Sequence, residues 1–128
     1  MTGVEYADLL GTPWVVGSVD PKDGLDCAGV VGCILVRLGL VGDAAFFQSE
    51  CDTDEGGHHL FRRVGAGWRD ASEEGDIILS RNQYDEPHVS IMVRPKEGFT
   101  VTAMKRAGVV VMRAWAIQEI TGVYRRVT

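Results

Sequence analysis

Two residues of this 128-residue chain could act as a nucleophile and a base, and each begins a run of apolar sequence. Cys27 begins the segment CAGVVGCILVRL, directly after Asp26. If this segment is a helix, the sulfur lies beside unpaired backbone N–H groups and the positive end of the helix dipole. Both favour the thiolate, which is the reactive form of cysteine. We therefore predict that Cys27 is held ionised.

A thiolate nucleophile needs an imidazole that stabilises it and later protonates the leaving amine, and the chain has three histidines. His58 and His59 follow two glycines in a polar stretch, where a mobile surface pair is the usual outcome. His88 begins the segment HVSIMV, whose alternation predicts a strand with His88, Ser90 and Met92 on one face. A strand holds an imidazole rigidly, so His88 is the better candidate.

Helical patterns precede strand patterns along the chain, which predicts an α+β fold with helices packed on an antiparallel sheet of about five strands. Residues 4–10 have helical spacing and are followed by Gly11-Thr12-Pro13. A buried central helix is predicted to begin after an N-cap at Asp26 and to end at Gly39. The stretch 42–75 is polar and gives no clear element. The predicted strands are 77–80, 88–93, 99–104, 108–117 and 120–127.

Length and composition restrict the function classes. The length fits a single domain, 1–128. The net charge of −5 argues against binding to nucleic acid, and no apolar run approaches the roughly 20 residues of a membrane span. The first ten residues carry Glu5 and Asp8 and lack a basic segment followed by an apolar one. We therefore expect a protein made in the cytoplasm without a signal peptide.

Two tryptophans, Trp68 and Trp115, are expected to have structural rather than catalytic roles. Trp115 lies in an apolar run and is expected in the core of the last strands. Trp68 is expected to anchor the polar stretch to the core, with sugar stacking as an alternative.

Four segments, in order, resemble the signatures of the NlpC-type cell-wall cysteine peptidases. The usual motifs of that family are a G-x-P-Y-x-W-G-G loop, a D-C-S-G helix start, a G-D-[LI] strand and an H-V-G-I-Y strand. The resemblance covers about residues 5–112 and implies a papain-like α+β core. The matching segments here are GTPWVVG from Gly11, GLDCAGVV from Gly24, GDII from Gly75 and HVSIMV from His88.

The resemblance also implies roles for five residues. Cys27 would be the nucleophile and His88 the general base and acid, with the sulfur and a ring nitrogen within roughly 4 Å. Thr102 stands where the family has a His, Asn or Gln that orients the imidazole. Trp14 replaces the loop tyrosine beside the nucleophile, and Asp26 would contact the free amine of the substrate.

The activity that the resemblance implies is hydrolysis of amide bonds in peptidoglycan stem peptides, commonly at the γ-D-glutamyl to diamino-acid bond. No cofactor and no metal is expected. The small size is similar to versions of the family found in phage tail assemblies. This similarity implies a wall-penetrating protein that a virion or another particle carries to the cell wall, with tail or assembly proteins as partners.

Two alternatives stay open. The altered Thr102 and Trp14, together with Ala28 where many members of the family have a serine, also fit a weak or inactive member with a structural or assembly role. In that case Cys27 is a buried cysteine, His88 a structural strand residue and Asp26 only an N-cap. The second alternative is a metal site, although its spacing fits no zinc pattern. Its ligands would be Cys51, His58 and His59 with Asp52 or Asp54.

Overall fold

A computed structural model describes residues 5–45, 47 and 61–127. Within these ranges the chain has an α+β fold in which one helix packs on a six-stranded antiparallel sheet. The elements are α1 (Cys27–Arg37), β1 (Phe61–Gly65), β2 (Ile77–Arg81), β3 (Pro87–Arg94), β4 (Phe99–Met104), β5 (Gly108–Arg113) and β6 (Ile120–Arg126). The strands follow the order β1-β6-β2-β3-β4-β5 across the sheet, and all five neighbouring pairs are antiparallel.

Both ends of α1 are where the sequence predicts them. Asp26 is the N-cap, and its Oδ1 accepts a hydrogen bond from the Gly29 N–H at 2.7 Å. At the other end Gly39 has a φ of 72°, and the Leu40 N–H bonds back to the Leu35 carbonyl at 2.9 Å. A left-handed glycine with this bond pattern is the Schellman ending of a helix.

Hydrophobic residues fill both faces of the sheet. The larger core lies between α1 and the sheet, where Val30, Val31 and Ile34 pack with Ile91 and Val101. A smaller cluster lies on the opposite face and consists of Ala71, Ile78, Met92, Ala114 and Val123. Two short 3₁₀ turns, Trp68–Asp70 and Ala114–Ala116, contribute to that side or border it. Among the described residues, no helix has the length and apolar character that crossing a membrane requires.

The prediction of an N-terminal helix at residues 4–10 is wrong for the described part of that stretch. Only a 3₁₀ turn forms there, at Ala7–Leu9. The Gly11 N–H bonds to the carbonyl of Val109 in β5 at 2.9 Å, so the chain runs to the sheet edge and does not continue as a helix. Tertiary hydrogen bonding has overridden a weak local helical pattern.

The strand count of about five was too low by one. The additional strand is β1, which begins in the stretch that gave no clear element and pairs with β6. The predicted strand 108–117 ends at Arg113, because a 3₁₀ turn follows. In that turn Trp115 is 63% exposed, so the prediction that it lies in the core is wrong. Trp68 also lies outside the core at 36% exposure, with the Arg69 guanidinium over its ring.

Candidate functional site

Asp26 fixes the start of α1 against the loop that precedes it. While Oδ1 caps the helix at Gly29, Oδ2 accepts a hydrogen bond from the Gly17 N–H at 2.8 Å. A Cβ atom at Gly29 would also collide with the Ser18 carbonyl oxygen. The loop and the helix start are therefore in direct backbone contact, and Cys27 is held at a defined position.

The sulfur of Cys27 lies against the backbone of β3. The Val89 N–H lies within hydrogen-bonding reach of the sulfur and lowers the thiol pKa, and so do the N–H groups of Ala28 and Cys27 itself. Burial acts in the opposite direction and is the largest effect, so the pKa of Cys27 is raised above its ordinary value. The nearby Asp26 carboxylate raises it further.

This direction corrects the expectation that the helix terminus holds Cys27 ionised. The N–H groups that the sequence predicts are present, but Cys27 is also partly buried against the core between α1 and the sheet. Taking a charge out of water costs more than the N–H groups return, so the thiol is the resting form. Sequence reasoning found the donors and missed the burial.

A hydrogen-bonded chain links His88, Thr102 and the carbonyl of Val89. The Thr102 hydroxyl lies 2.9 Å from His88 Nε2 and 2.7 Å from the Val89 oxygen. A carbonyl only accepts hydrogen bonds, so the single hydroxyl proton is donated to Val89. The hydroxyl oxygen must then accept from His88, which assigns the proton of the neutral imidazole to Nε2. Nδ1 keeps its lone pair and is the basic nitrogen.

Burial keeps this imidazole neutral. It lowers the pKa of His88 below its ordinary value, because the charged form loses solvation. Together with the raised pKa of Cys27, the resting site holds a thiol and a free imidazole base rather than a preformed ion pair. Such a site can still form a nucleophile if Nδ1 takes the proton as the sulfur attacks.

The strands β3 and β4 lie apart beside these side chains. Their pairing runs from Ile91 to Arg94 on the β3 side, so it does not include Val89. We call this place, where Val89 faces the end of β4, the β3–β4 opening. The N–H of Val89 is directed to Cys27 and its carbonyl to Thr102, so side chains replace the missing ladder partners.

The two candidate catalytic side chains reach this opening from different faces of the sheet. Val89 and Ile91 belong to the core with α1, whereas Met92 belongs to the cluster on the far face. His88 has the parity of Met92, and Cys27 packs on the α1 side. A sulfur-to-imidazole contact must therefore form through the β3–β4 opening, and the expected separation of roughly 4 Å stays a prediction.

Trp14 is held in place from both sides of its loop. The Val109 N–H bonds to the Thr12 carbonyl at 2.9 Å, and the Leu25 N–H bonds to the Pro13 carbonyl at 2.9 Å. These bonds fasten the loop to β5 and to the residues just before α1. Trp14 is half-buried and packs against the larger core. The loop is therefore attached to elements that carry the site.

A charged pair that the sequence analysis did not single out lies beside Trp14. The ammonium of Lys105 is 5.6 Å from the centroid of the Trp14 ring and 3.4 Å from the nearer carboxylate oxygen of Glu86. Glu86 lies two residues before His88 in the chain. No sequence motif marks these residues, because two separate turns bring them together.

The residues of the alternative metal site, Cys51, Asp52, Asp54, His58 and His59, lie outside the described ranges. Within those ranges no group of three or more His, Cys, Asp or Glu side chains could hold a metal ion. Cys33 is a free, half-buried cysteine whose thiol donates to the Val19 carbonyl at 3.3 Å.

Comparisons with known proteins give no family assignment: no protein-family model matches the chain, and no curated protein matches it.

Proposed function

We propose that this chain is a cysteine peptidase with an NlpC-type, papain-like core that hydrolyses amide bonds in peptidoglycan stem peptides. The observation that carries the proposal is the Thr102 hydroxyl, which donates to Val89 and accepts from His88 Nε2. This arrangement leaves Nδ1 as the base, on the same strand whose Val89 amide contacts the Cys27 sulfur. A nucleophile, a base and a group that orients the base are the parts of a catalytic triad.

In the proposed reaction, the Cys27 sulfur attacks the carbonyl carbon of the scissile amide while His88 Nδ1 takes the thiol proton. The imidazolium then gives this proton to the leaving amine, and a thioester remains on Cys27. Water attacks the thioester, with His88 as the base that accepts its proton, and the acid product leaves as the thiol is restored. The backbone N–H of Cys27 at the start of α1 is the proposed donor to the oxyanion.

Asp26 and Trp14 belong to the proposed substrate site. Both Asp26 oxygens accept backbone N–H groups, from Gly17 and Gly29. The same carboxylate is the proposed contact for the amine of a stem peptide, since a negative charge attracts an ammonium group. Trp14 supplies an apolar ring and an indole N–H donor at the same loop. The proposed setting is a particle, such as a phage tail, that brings the protein to the cell wall.

An assembly module without activity is the second candidate function, and two observations favour it. The directions of both pKa shifts keep the thiol and the imidazole neutral at rest. In addition, Cys27 and Thr102 satisfy the N–H and the carbonyl of Val89, which is a structural role that needs no reaction. In this case, Cys27 holds α1 against β3 and Thr102 holds β4 against β3 at the β3–β4 opening.

Digestion of purified muropeptides distinguishes the two candidates. The wild-type chain should release new amino termini, detected by mass spectrometry, and Cys27→Ala should release none. Cys33→Ala is the matched control, because the Cys33 thiol bonds to the Val19 carbonyl and takes no part in the hydrogen-bonded chain of His88, Thr102 and Val89, so its loss should leave the products unchanged. Equal product from the wild type and Cys27→Ala, or no product from either, would refute the peptidase proposal.

A further inference from the structure

We propose that Lys105 is a specificity-determining residue that binds a carboxylate of the substrate next to the scissile amide. The inference rests on the proposed peptidase function and assigns one residue to the recognition of a free carboxylate beside the cleaved bond. A γ-linked glutamyl residue has such a group, because its α-carboxylate is not part of the peptide bond.

The position of Lys105 carries the first step. Lys105 follows the last residue of β4, three residues after Thr102, and its ammonium lies over the ring of Trp14 and beside Glu86. Glu86 in turn lies two residues before His88. The three groups therefore come from the chain segments that carry Trp14, His88 and Thr102, and Lys105 lies in the turn directly after the strand of Thr102.

The second step is that the contacts of the ammonium are loose. Its distances to the two Glu86 oxygens are 3.4 and 3.5 Å, whereas a strong charge-assisted bond is about 2.7–2.9 Å. The ring centroid of Trp14 is 5.6 Å away, close to the roughly 6 Å limit of a cation–π contact. The Lys105 side chain is 56% exposed. An ammonium has three donors, so it can bind an incoming carboxylate without leaving its place.

The third step is that Glu86 does not need Lys105 to hold its loop. Asn82 organises the loop: its side-chain oxygen accepts from the N–H groups of Tyr84 and Glu86 at 2.9 and 3.0 Å. The Asn82 N–H also bonds to the Glu86 carbonyl at 2.9 Å. The carboxylate is therefore placed by its own turn. An exposed pair such as Glu86 and Lys105 adds little stability, so a ligand that displaces Glu86 from the ammonium costs the fold little.

Charge gives the fourth step. In a chain with a net charge of −5, a substrate carboxylate is repelled on average unless a local cation receives it. Glu86 competes with the substrate for the same ammonium. This competition predicts opposite effects for the two partners: removal of Lys105 weakens binding of a carboxylate, and removal of Glu86 strengthens it.

The test uses two peptides that are identical except that the carboxylate beside the scissile bond is a carboxamide in one. For the wild type, kcat/KM should be about two- to tenfold higher for the carboxylate peptide, since the contact is partly exposed. Lys105→Gln should bring this ratio to about one, and Glu86→Gln should raise it above the wild-type value. Lys96→Gln, in the turn at the opposite end of β4, removes the same charge and should leave the ratio unchanged.

Binding separates this inference from the proposed function. The affinity of both peptides for Cys27→Ala and for the double variant Cys27→Ala/Lys105→Gln can be measured by calorimetry without turnover. A preference for the carboxylate peptide that needs Lys105 supports the inference even if no variant hydrolyses it. Two results overturn the inference and leave the peptidase proposal standing. One is hydrolysis of the two peptides by the wild type with equal kcat/KM, and the other is a Lys96→Gln variant whose carboxylate-to-carboxamide ratio of kcat/KM falls as far as that of Lys105→Gln. Equal affinities of the two peptides for Cys27→Ala overturn it as well.

Discussion

The Thr102 hydroxyl is predicted to fix the tautomer of His88 and to satisfy a buried carbonyl, so its removal tests the proposed site directly. Thr102→Val keeps the shape of the side chain and removes only these hydrogen bonds. It leaves the Val89 oxygen and the His88 Nε2–H without the partner they have now. An unsatisfied buried group costs about 1–3 kcal/mol, so we expect a loss of about 2 kcal/mol in the free energy of unfolding.

A neighbouring threonine provides the matched control. Thr100 is fully buried on the same strand, and its hydroxyl donates to the Met112 carbonyl at 2.8 Å without contact to His88. Thr100→Val should therefore cost about half as much, roughly 1 kcal/mol. Thr102→Ser should keep the tautomer while it loses one methyl group, at about 1 kcal/mol. For a chain of this length, 1 kcal/mol corresponds to roughly 3–5 °C in Tm.

Nitrogen-15 NMR of the imidazole measures the tautomer directly. In the wild type and in Thr100→Val, Nε2 of His88 should carry the proton and Nδ1 should have the shift of an unprotonated nitrogen. In Thr102→Val the two shifts should move towards each other, because the acceptor at Nε2 is lost. If the peptidase proposal holds, kcat/KM should fall by about 10- to 100-fold in Thr102→Val only. Unchanged shifts in that variant would show that the hydroxyl does not set the tautomer, and the assignment of Nδ1 as the base would fail.

Three further predictions follow from burial and packing. Burial raises the pKa of Cys27, so its alkylation by iodoacetamide at pH 7 should be slower than that of a free cysteine, and a faster rate would contradict the thiol resting state. The pKa of His88 is lower in the folded chain than in the unfolded chain, so the neutral imidazole makes its full contribution to the free energy of unfolding above pH ~6.5, the unfolded pKa. This contribution should be lost as the pH falls through the lower folded value. Urea unfolding should therefore show a decline in stability below pH 6.5 that is smaller in His88→Gln. Gly29→Ala should lower the free energy of unfolding by about 2–3 kcal/mol, because the new Cβ atom would meet the Ser18 carbonyl. At Gly42 a new Cβ atom would have no neighbour within 4 Å, so Gly42→Ala should lower it far less.

Local sequence rules predict the parts of the fold that local interactions build. The ends of α1 follow from a capping aspartate and a glycine with positive φ, and both are read from residue type. The last five strands follow from alternation and turn residues, although the last part of the run to residue 117 is a 3₁₀ turn that exposes Trp115. The helix at residues 4–10 failed because Gly11 bonds to Val109, about a hundred positions away in the chain. A local pattern holds no information on that contact.

The same division applies to the candidate site. From sequence alone come the identity of Cys27, His88 and Thr102, their order, and the helix terminus beside the sulfur. Only the folded chain decides that Thr102 meets His88 at Nε2. The fold also leaves Val89 outside the pairing of β3 with β4, so two side chains can bond to its backbone on that side. Burial likewise outweighs the helix terminus in setting the thiol pKa.

The physical reason is one of range. Capping, alternation and turn formation act over a few residues, so residue type and spacing determine them. Solvation of a charge, the direction of a hydroxyl proton and the meeting of Lys105 with Glu86 depend on how distant segments pack. For this protein the sequence determined which side chains are available for chemistry. The packing of α1 against β3 and β4 decided their protonation and their partners.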